Sequence, residues 1–168
     1  MGDLISDLAD IVGAGHATSG DAAGDDLTHD EALTATPCAA RAVVYPASTA
    51  EVAGIVALAA EQHVPVTARG SGTGLSGACI PRPDAILVAF DRMAEIVELD
   101  LGNHVAVVQP GVTLAQLDGA TKPHGLIYPV QPGENSASLG GNVATNAGGM
   151  RAVRYGVTRH QVLGLTAV

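Results

Sequence analysis

The chain has no tryptophan, one phenylalanine and three tyrosines, so aromatic residues make up 2% of its 168 residues. Any core must therefore be assembled from Val, Leu, Ile and Ala, which with the other apolar types reach 47%. Two cysteines, Cys38 and Cys79, are too few and too far apart for a disulfide framework or a metal cluster, and they read as ordinary small or buried residues. Basic residues are equally scarce. Eight Lys and Arg against seventeen Asp and Glu leave a formal charge of -9, and no Lys/Arg cluster could neutralise a run of phosphates, which excludes nucleic acid as an expected partner. No apolar run reaches the ~18 residues of a membrane span, because the longest, at 52–60, is followed at once by Glu61, Gln62 and His63. The first thirteen residues carry Asp3, Asp7 and Asp10 in place of the basic start of a signal peptide, so the expected location is cytoplasmic.

What is abundant is glycine, at 21 residues against a usual share of about 7%. The excess is concentrated at 70–77 and 133–149, so the glycines mark two places rather than a general composition.

Residues 3–12 set Leu4, Ile5, Leu8, Ile11 and Val12 at helical spacing with Asp opposite, which predicts a short amphipathic helix. From 16 to 38 the chain is polar, acidic and without period, and reads as a connector. A strand is expected at 42–45, an N-cap at Ser48 or Thr49, an Ala/Val-rich helix at 51–63 and a second strand at 64–68. Such a βαβ unit implies parallel strands whose carboxyl ends lie together, and the segment leaving the second end is RGSGTGLSG at 69–77. Further on, a strand is expected at 85–89, a hairpin at 95–100 and 105–109, and a helix from the Thr113 cap to Ala120. Residues 122–130 read as a loop with a short extended piece, and 162–168 as an apolar strand.

The string from Gly72 to Gly77 satisfies G-x-G-x-x-G, with Asp91 nineteen residues after Gly72. A nicotinamide-binding fingerprint, however, needs a helix to begin inside the motif, and Pro81 and Pro83 stand where it would run. A Walker loop lacks its Gly-Lys-Ser/Thr. Two readings stay open: a cradle of backbone N–H groups for an anion such as a diphosphate, with hydroxyls at Ser71, Thr73 and Ser76, or a tight turn without chemistry. The second stretch, QPGENSASLGGNVATNAGGMRAVRYGVTRH at 131–160, contains six glycines and one acidic residue, Glu134. It reads as backbone laid against something flat or large, with Ser136, Ser138, Asn142, Thr145 and Asn146 as donors.

Together, VPVTARGSGTGLSG and, some sixty residues later, SLGGNVATNAGGMRAVRYGVTRHQVLGL resemble the FAD-binding domain of the vanillyl-alcohol oxidase and p-cresol methylhydroxylase (PCMH) type. Within that type the resemblance is greatest to the glycolate oxidase D subunit and the FAD-linked D-lactate dehydrogenases, and it runs from about Asp26 to the last residue. The resemblance implies an α+β fold: an N-terminal helix and connector at 1–25, a first, βαβ-containing FAD subdomain at 26–100, and the start of a second α/β subdomain at 101–168, left incomplete and without the cap domain of that branch. It implies that Arg69, Gly70, Ser71, Gly72, Thr73, Gly74, Gly77 and Ala78 hold the FAD diphosphate. It further implies that Pro132, Gly133, Ser136, Gly140, Gly141, Asn142, Thr145, Asn146 and Gly148 line the ribityl chain and ring, with Tyr155 and Gly156 closing that wall. Thr73 stands where relatives with covalent flavin often carry His, so FAD is expected to be non-covalent.

The implied activity is oxidation of a 2-hydroxy acid of the D-lactate or glycolate type by hydride transfer to flavin N5. Metal-ligand and catalytic histidines of that branch lie outside the matched motifs, so no metal site is expected here and no catalytic role passes to His16, His29, His63, His104, His124 or His160. In this reading a second polypeptide or an oligomer completes the enzyme; alternatives stay open: a non-catalytic remnant or fragment of such an enzyme, or a flavoprotein like UDP-N-acetylenolpyruvoylglucosamine reductase.

Overall fold

The computed structural model describes residues 3–168; the first two residues of the expected 1–25 segment lie outside the described residues. The chain divides into two compact units, one through Arg92 and one from Met93 to Ala167.

In the first unit the helix α1 (Leu4–Val12) is capped by Asp3, whose carboxylate accepts from the Ile5 N–H. Its i, i+4, i+8 residues Leu4, Leu8 and Val12 are buried. They meet Ile55 and Ala59 of α2 (Thr49–Gln62) and, from the sheet, Ala42, Val44, Ile86 and Val88. The Ser48 hydroxyl accepts from Glu51 N at 3.2 Å, the Glu51 carboxylate accepts from Ala47 N at 2.7 Å, and α2 closes with His63 in the left-handed region. Small residues let the two helices approach, and Gln62 donates to the Asp7 carboxylate at 2.9 Å across them.

The sheet holds β1 (Ala17–Ser19), β2 (Ala42–Val44), β3 (Val66–Arg69) and β4 (Ile86–Ala89) in the order β1-β2-β4-β3. Both β2 and β3 are parallel to β4, and β1 is antiparallel to β2. The expected βαβ unit is thus present, but α2 carries the chain across a slot that β4 fills. All four residues of β4 are buried, as befits a parallel strand covered on both faces. Ile86 and Val88 face the two helices, while Leu87, with Val43, packs under Ala23, Leu27 and Tyr45. The segment at 16–38 is therefore more than a connector: it supplies β1, two short 3-10 turns at Gly20–Ala22 and Asp25–Thr28, and the cover of the second sheet face.

The second unit starts with the hairpin β5 (Ile96–Asp100) and β6 (Val105–Val108). Its turn is tied by Asp100, whose carboxylate accepts from Gly102 N, Asn103 N and Asn103 Nδ2 at 2.7–3.0 Å, and these bonds hold its pKa below the ordinary value. Helix α3 (Leu114–Thr121) opens on a capping box between Thr113 and Gln116. Its Leu114 and Leu117 pack with Val112, Ala137, Leu139 and, from the hairpin, Ile96, Ala106 and Val108.

Three expectations need correction. Residues 122–130, expected as a loop with a short extended piece, begin with a 3-10 turn at Lys122–His124 that the αL Gly125 closes, and 126–130 form no helix or strand. The 133–149 glycine stretch contains a helix, α4 (Leu139–Thr145), and a second short one, α5 (Ala152–Tyr155), follows it. Residues 162–168 form no strand: among the described residues no strand pairs with them, and Leu163 and Leu165 stand exposed.

Candidate cofactor site

The first glycine loop leaves the carboxyl end of β3 and runs to β4 without a helix, as Pro81 and Pro83 demand. Phe90 N–H donates to Arg69 O at the strand end, Glu31 N–H donates to Gly74 O at 2.9 Å, and Ile80 N–H donates to Gly77 O at 3.2 Å. Among the described residues, none of the backbone N–H groups at 70–78 donates to a protein acceptor. Gly72, at φ +73, turns the chain over the Arg69 side chain, and a Cβ there would collide with Arg69 Nη2. The expected hydroxyls of Ser71 and Ser76 are exposed and that of Thr73 half-buried; Ala78 is exposed.

Behind the loop lies a set of groups that sequence reasoning did not single out. Arg69 is 6% exposed, and its guanidinium donates to the main-chain oxygens of Asp26 (2.5 Å) and His29 (2.7 Å) and to Cys79 Sγ (3.4 Å). Its side chain is thus directed into the fold. Asp30, also buried, accepts from Ala32 N at 3.0 Å and stands 3.9 Å from the Cys79 thiol. Burial raises the Cys79 pKa, the Arg69 charge opposes that shift and Asp30 adds to it. Tyr45 is raised first by burial and then by the Asp91 and Asp26 carboxylates, with Arg69 opposing. The acidic residues of the connector were the only sequence signal for these groups, and no periodicity pointed from them to the loop.

In the second unit the glycine segment is built around α4. Ser138 caps it by accepting from Gly141 N, and Asn146 ends it in the left-handed region, its side-chain oxygen accepting from Arg159 N at 3.1 Å. Gly140 N–H donates to Pro110 O at 2.8 Å, and an added Cβ at Gly140 would lie 2.6 Å from Pro110 Cβ. The Thr145 hydroxyl is committed to Gly141 O, and the Ser136 N–H donates to the Glu134 carboxylate, which holds that acid's pKa down. Thr158, fully buried, donates by both N–H and hydroxyl to Ala147 O, and burial raises the pKa of the half-buried Tyr128. Arg154 stacks over the Tyr155 ring at 5.0 Å, and Gly156 N–H closes on Ala152 O. Pro132 and Gly133 are exposed, and Gly148 packs against Val157.

One group in this segment is left over. Asn142 is 4% exposed, and its side-chain Nδ2 has no hydrogen-bond partner. A buried amide without an acceptor costs about 1–3 kcal/mol, so such a group points to an absent acceptor.

In the first unit the row of unbonded N–H groups suits the oxygens of an anion such as a diphosphate, and in the second unit the orphaned Asn142 amide suits an acceptor on a polar ligand. Residues 40–168 match the model of a family described as FAD binding domain. The chain belongs to the FAD binding domain family. It is 54% identical over all 168 residues to an uncharacterized FAD-linked oxidoreductase of Mycobacterium tuberculosis, covering 37% of that protein. It is 48% identical to a D-lactate dehydrogenase of Archaeoglobus fulgidus, over 75% of this chain and 28% of that one. Against glycolate oxidase subunit GlcD of Bacillus subtilis the identity is 41%, over 76% and 27%. This FAD-binding chain thus spans about a third of the length of these relatives.

Among solved structures, alkyldihydroxyacetonephosphate synthase superposes with a TM-score of 0.84 at 20% identity, over 95% of this chain and 31% of that one. p-Cresol methylhydroxylase superposes at 0.68 and 20%, over 86% and 29%. The fold is therefore the α+β, PCMH-type FAD-binding fold that the two motifs imply, and the cofactor of the family is FAD. Among the described residues no helix is long and apolar enough to cross a membrane, and no group of three or more His, Cys, Asp or Glu is placed to hold a metal ion.

Proposed function

We propose that this chain is the cofactor-binding part of an FAD-dependent oxidoreductase that oxidises a 2-hydroxy acid of the D-lactate or glycolate type. The observation that carries the cofactor half of this reading is the row of unbonded N–H groups at 70–78. Donors with no protein acceptor, on a loop at the carboxyl end of a parallel strand, suit the oxygens of a diphosphate. In this reading Gly70, Ser71, Gly72, Thr73, Gly74, Gly77 and Ala78 present main-chain N–H groups, and the Ser71 and Thr73 hydroxyls add donors. In the second unit Asn142 donates its free amide hydrogens to the flavin end. Pro132, Gly133, Ser136, Gly140, Gly141, Thr145, Asn146, Gly148, Tyr155 and Gly156 form the surface on which that end rests. With no histidine at 73, attachment is non-covalent.

FAD when bound supplies a two-electron acceptor for the hydride of the substrate α-carbon. The chain's own part is to bind and orient: its N–H donors fix the diphosphate, and the Asn142 amide fixes the flavin end without a proton transfer. The substrate class rests on the relatives named D-lactate dehydrogenase and glycolate oxidase subunit. The test is to purify the protein, record the flavin absorbance band, and add D-lactate, glycolate and their L or unhydroxylated analogues with an artificial dye acceptor. Retained flavin is the expected result for this chain, and dye reduction by a 2-hydroxy acid is expected of an enzyme that joins it to the substrate-binding part. Loss of flavin at micromolar concentration would overturn the cofactor assignment, whereas retained flavin reduced by other substrates alone would overturn the substrate class.

A further inference from the structure

Val157, Thr158 and Arg159 meet three consecutive positions at the end of α4. The Val157 side chain lies against Gly148, Thr158 donates twice to Ala147 O, and Arg159 N–H donates to the Asn146 side-chain oxygen at 3.1 Å. Two of the three, Asn146 and Gly148, belong to the surface proposed for the flavin end. What shapes this turn is His160. Its N–H donates to Val157 O at 3.0 Å, and its Nδ1 accepts from Val157 N–H at 3.1 Å, a reciprocal pair that closes over Gly156. Gly156 stands at φ +81, and a Cβ there would collide with His160 Nδ1. An imidazole nitrogen accepts only in the neutral ring, because both nitrogens of the protonated ring are donors. His29 is the contrast: its Nδ1 faces Asp25 O at 3.0 Å, so that nitrogen donates and protonation leaves its bond intact. The His160 ring is exposed to solvent, and imidazoles change charge between about pH 5 and 8. The charged and titratable groups on the pieces packed against it are Arg159 on the turn, Arg151, Arg154 and Tyr155 at α5, and Tyr128 beside Thr158; α4 carries none. No Asp or Glu stands at 135–168, and among the described residues no carboxylate comes within ion-pair distance of His160. A protonated ring would therefore lose the Val157 bond and gain no carboxylate in exchange.

We propose that His160 is a positioning residue of the flavin wall: its neutral Nδ1 holds the 156–160 turn against 146–148, so that protonation of the ring loosens the wall and weakens FAD. This rests on the reading of 132–156 as the surface for the flavin end. His160 acts through Val157 and the turn, and it passes no proton to cofactor or substrate.

The test measures FAD affinity at about pH 8 and about pH 5 for the wild-type protein and two variants. His160→Asn keeps a side-chain oxygen that accepts at either pH, and His160→Phe keeps a ring without an acceptor. Protection of the Val157 amide from hydrogen exchange is followed in the same proteins without FAD. Between the two pH values wild-type affinity should fall roughly fivefold beyond any change in His160→Asn, with Val157 protection falling by a similar factor. His160→Phe should bind roughly fivefold more weakly than wild type at the higher pH and lose no more than His160→Asn on acidification. Identical pH profiles for wild type and His160→Asn would overturn the proposal, and so would His160→Phe binding within about twofold of wild type at the higher pH. Val157 protection that falls in acid while FAD affinity matches that of His160→Asn would overturn the link from turn to wall. Should His160→Phe fail to fold, the comparison of wild type with His160→Asn decides. A wild-type protein that binds FAD at neither pH overturns the flavin reading itself, and the role of His160 falls with it, while Val157 exchange still reports whether the bond titrates.

Discussion

The two glycine-rich regions look alike in sequence and differ in what their glycines do. In the first, Gly72 takes a backbone angle that side chains resist, and the loop around it leaves its N–H groups without protein acceptors. In the second, Gly140 is needed because the backbone of Pro110 lies against it and accepts its N–H. One region spends its glycines on presenting donors outward, the other on packing against its own chain. Composition alone cannot separate these cases, since both exclude a Cβ. The distinction appears only when each N–H is followed to its acceptor.

Substitutions should therefore separate stability from binding. The largest effect is expected from Gly140→Val, whose side chain would be driven into Pro110 and break the Gly140 N–H bond. Chemical denaturation should show a loss of about 2–4 kcal/mol, or failure of the second unit to fold. Gly72→Ala comes next and should act in the opposite sense: a stability loss of only about 1–2 kcal/mol, with FAD affinity reduced by roughly one to two orders of magnitude because the loop must shift off Arg69. Equal stability losses in the two variants would break the contrast.

Asn142→Leu sharpens it within the second region. Replacing an amide that has no partner by an apolar side chain of similar size should stabilise the protein without cofactor by about 1 kcal/mol and weaken FAD by about tenfold. Thermal melts with and without FAD would read both signs. The smallest effect belongs to Thr113→Ala, which removes one half of the α3 capping box and should cost about 1 kcal/mol of stability while leaving FAD binding intact.

Much of the first unit was legible in the sequence because its signals are local. Period located α1, period with a cap located α2, and Pro81 and Pro83 ruled out a helix after the glycine loop. The order of the sheet was not legible, since nothing in β2–α2–β3 states that the crossover skips a place for β4. The bracing of the loop by Asp26, His29 and Asp30 was hidden for a related reason: contacts about forty residues apart in a chain without periodicity leave no pattern. In the second unit the polar, glycine-rich composition of 139–145 masked a helix whose stability comes from the Ser138 cap and the burial of Leu139 rather than from propensity. Residues 162–168 show the reverse error, an apolar run with strand-like composition and no neighbour to pair with. The candidate site residues came from the pair of motifs, and the packing adds how the glycines among them differ.

The central claim is that the backbone donors at 70–78 are the diphosphate site. It is tested most directly by measuring backbone amide hydrogen exchange at these positions with and without FAD. Selective slowing across 70–78 on adding FAD, against little change at the already bonded N–H of Gly140, is the predicted result. Exchange at 70–78 that FAD leaves unaltered, under conditions where the flavin is demonstrably bound, would contradict it.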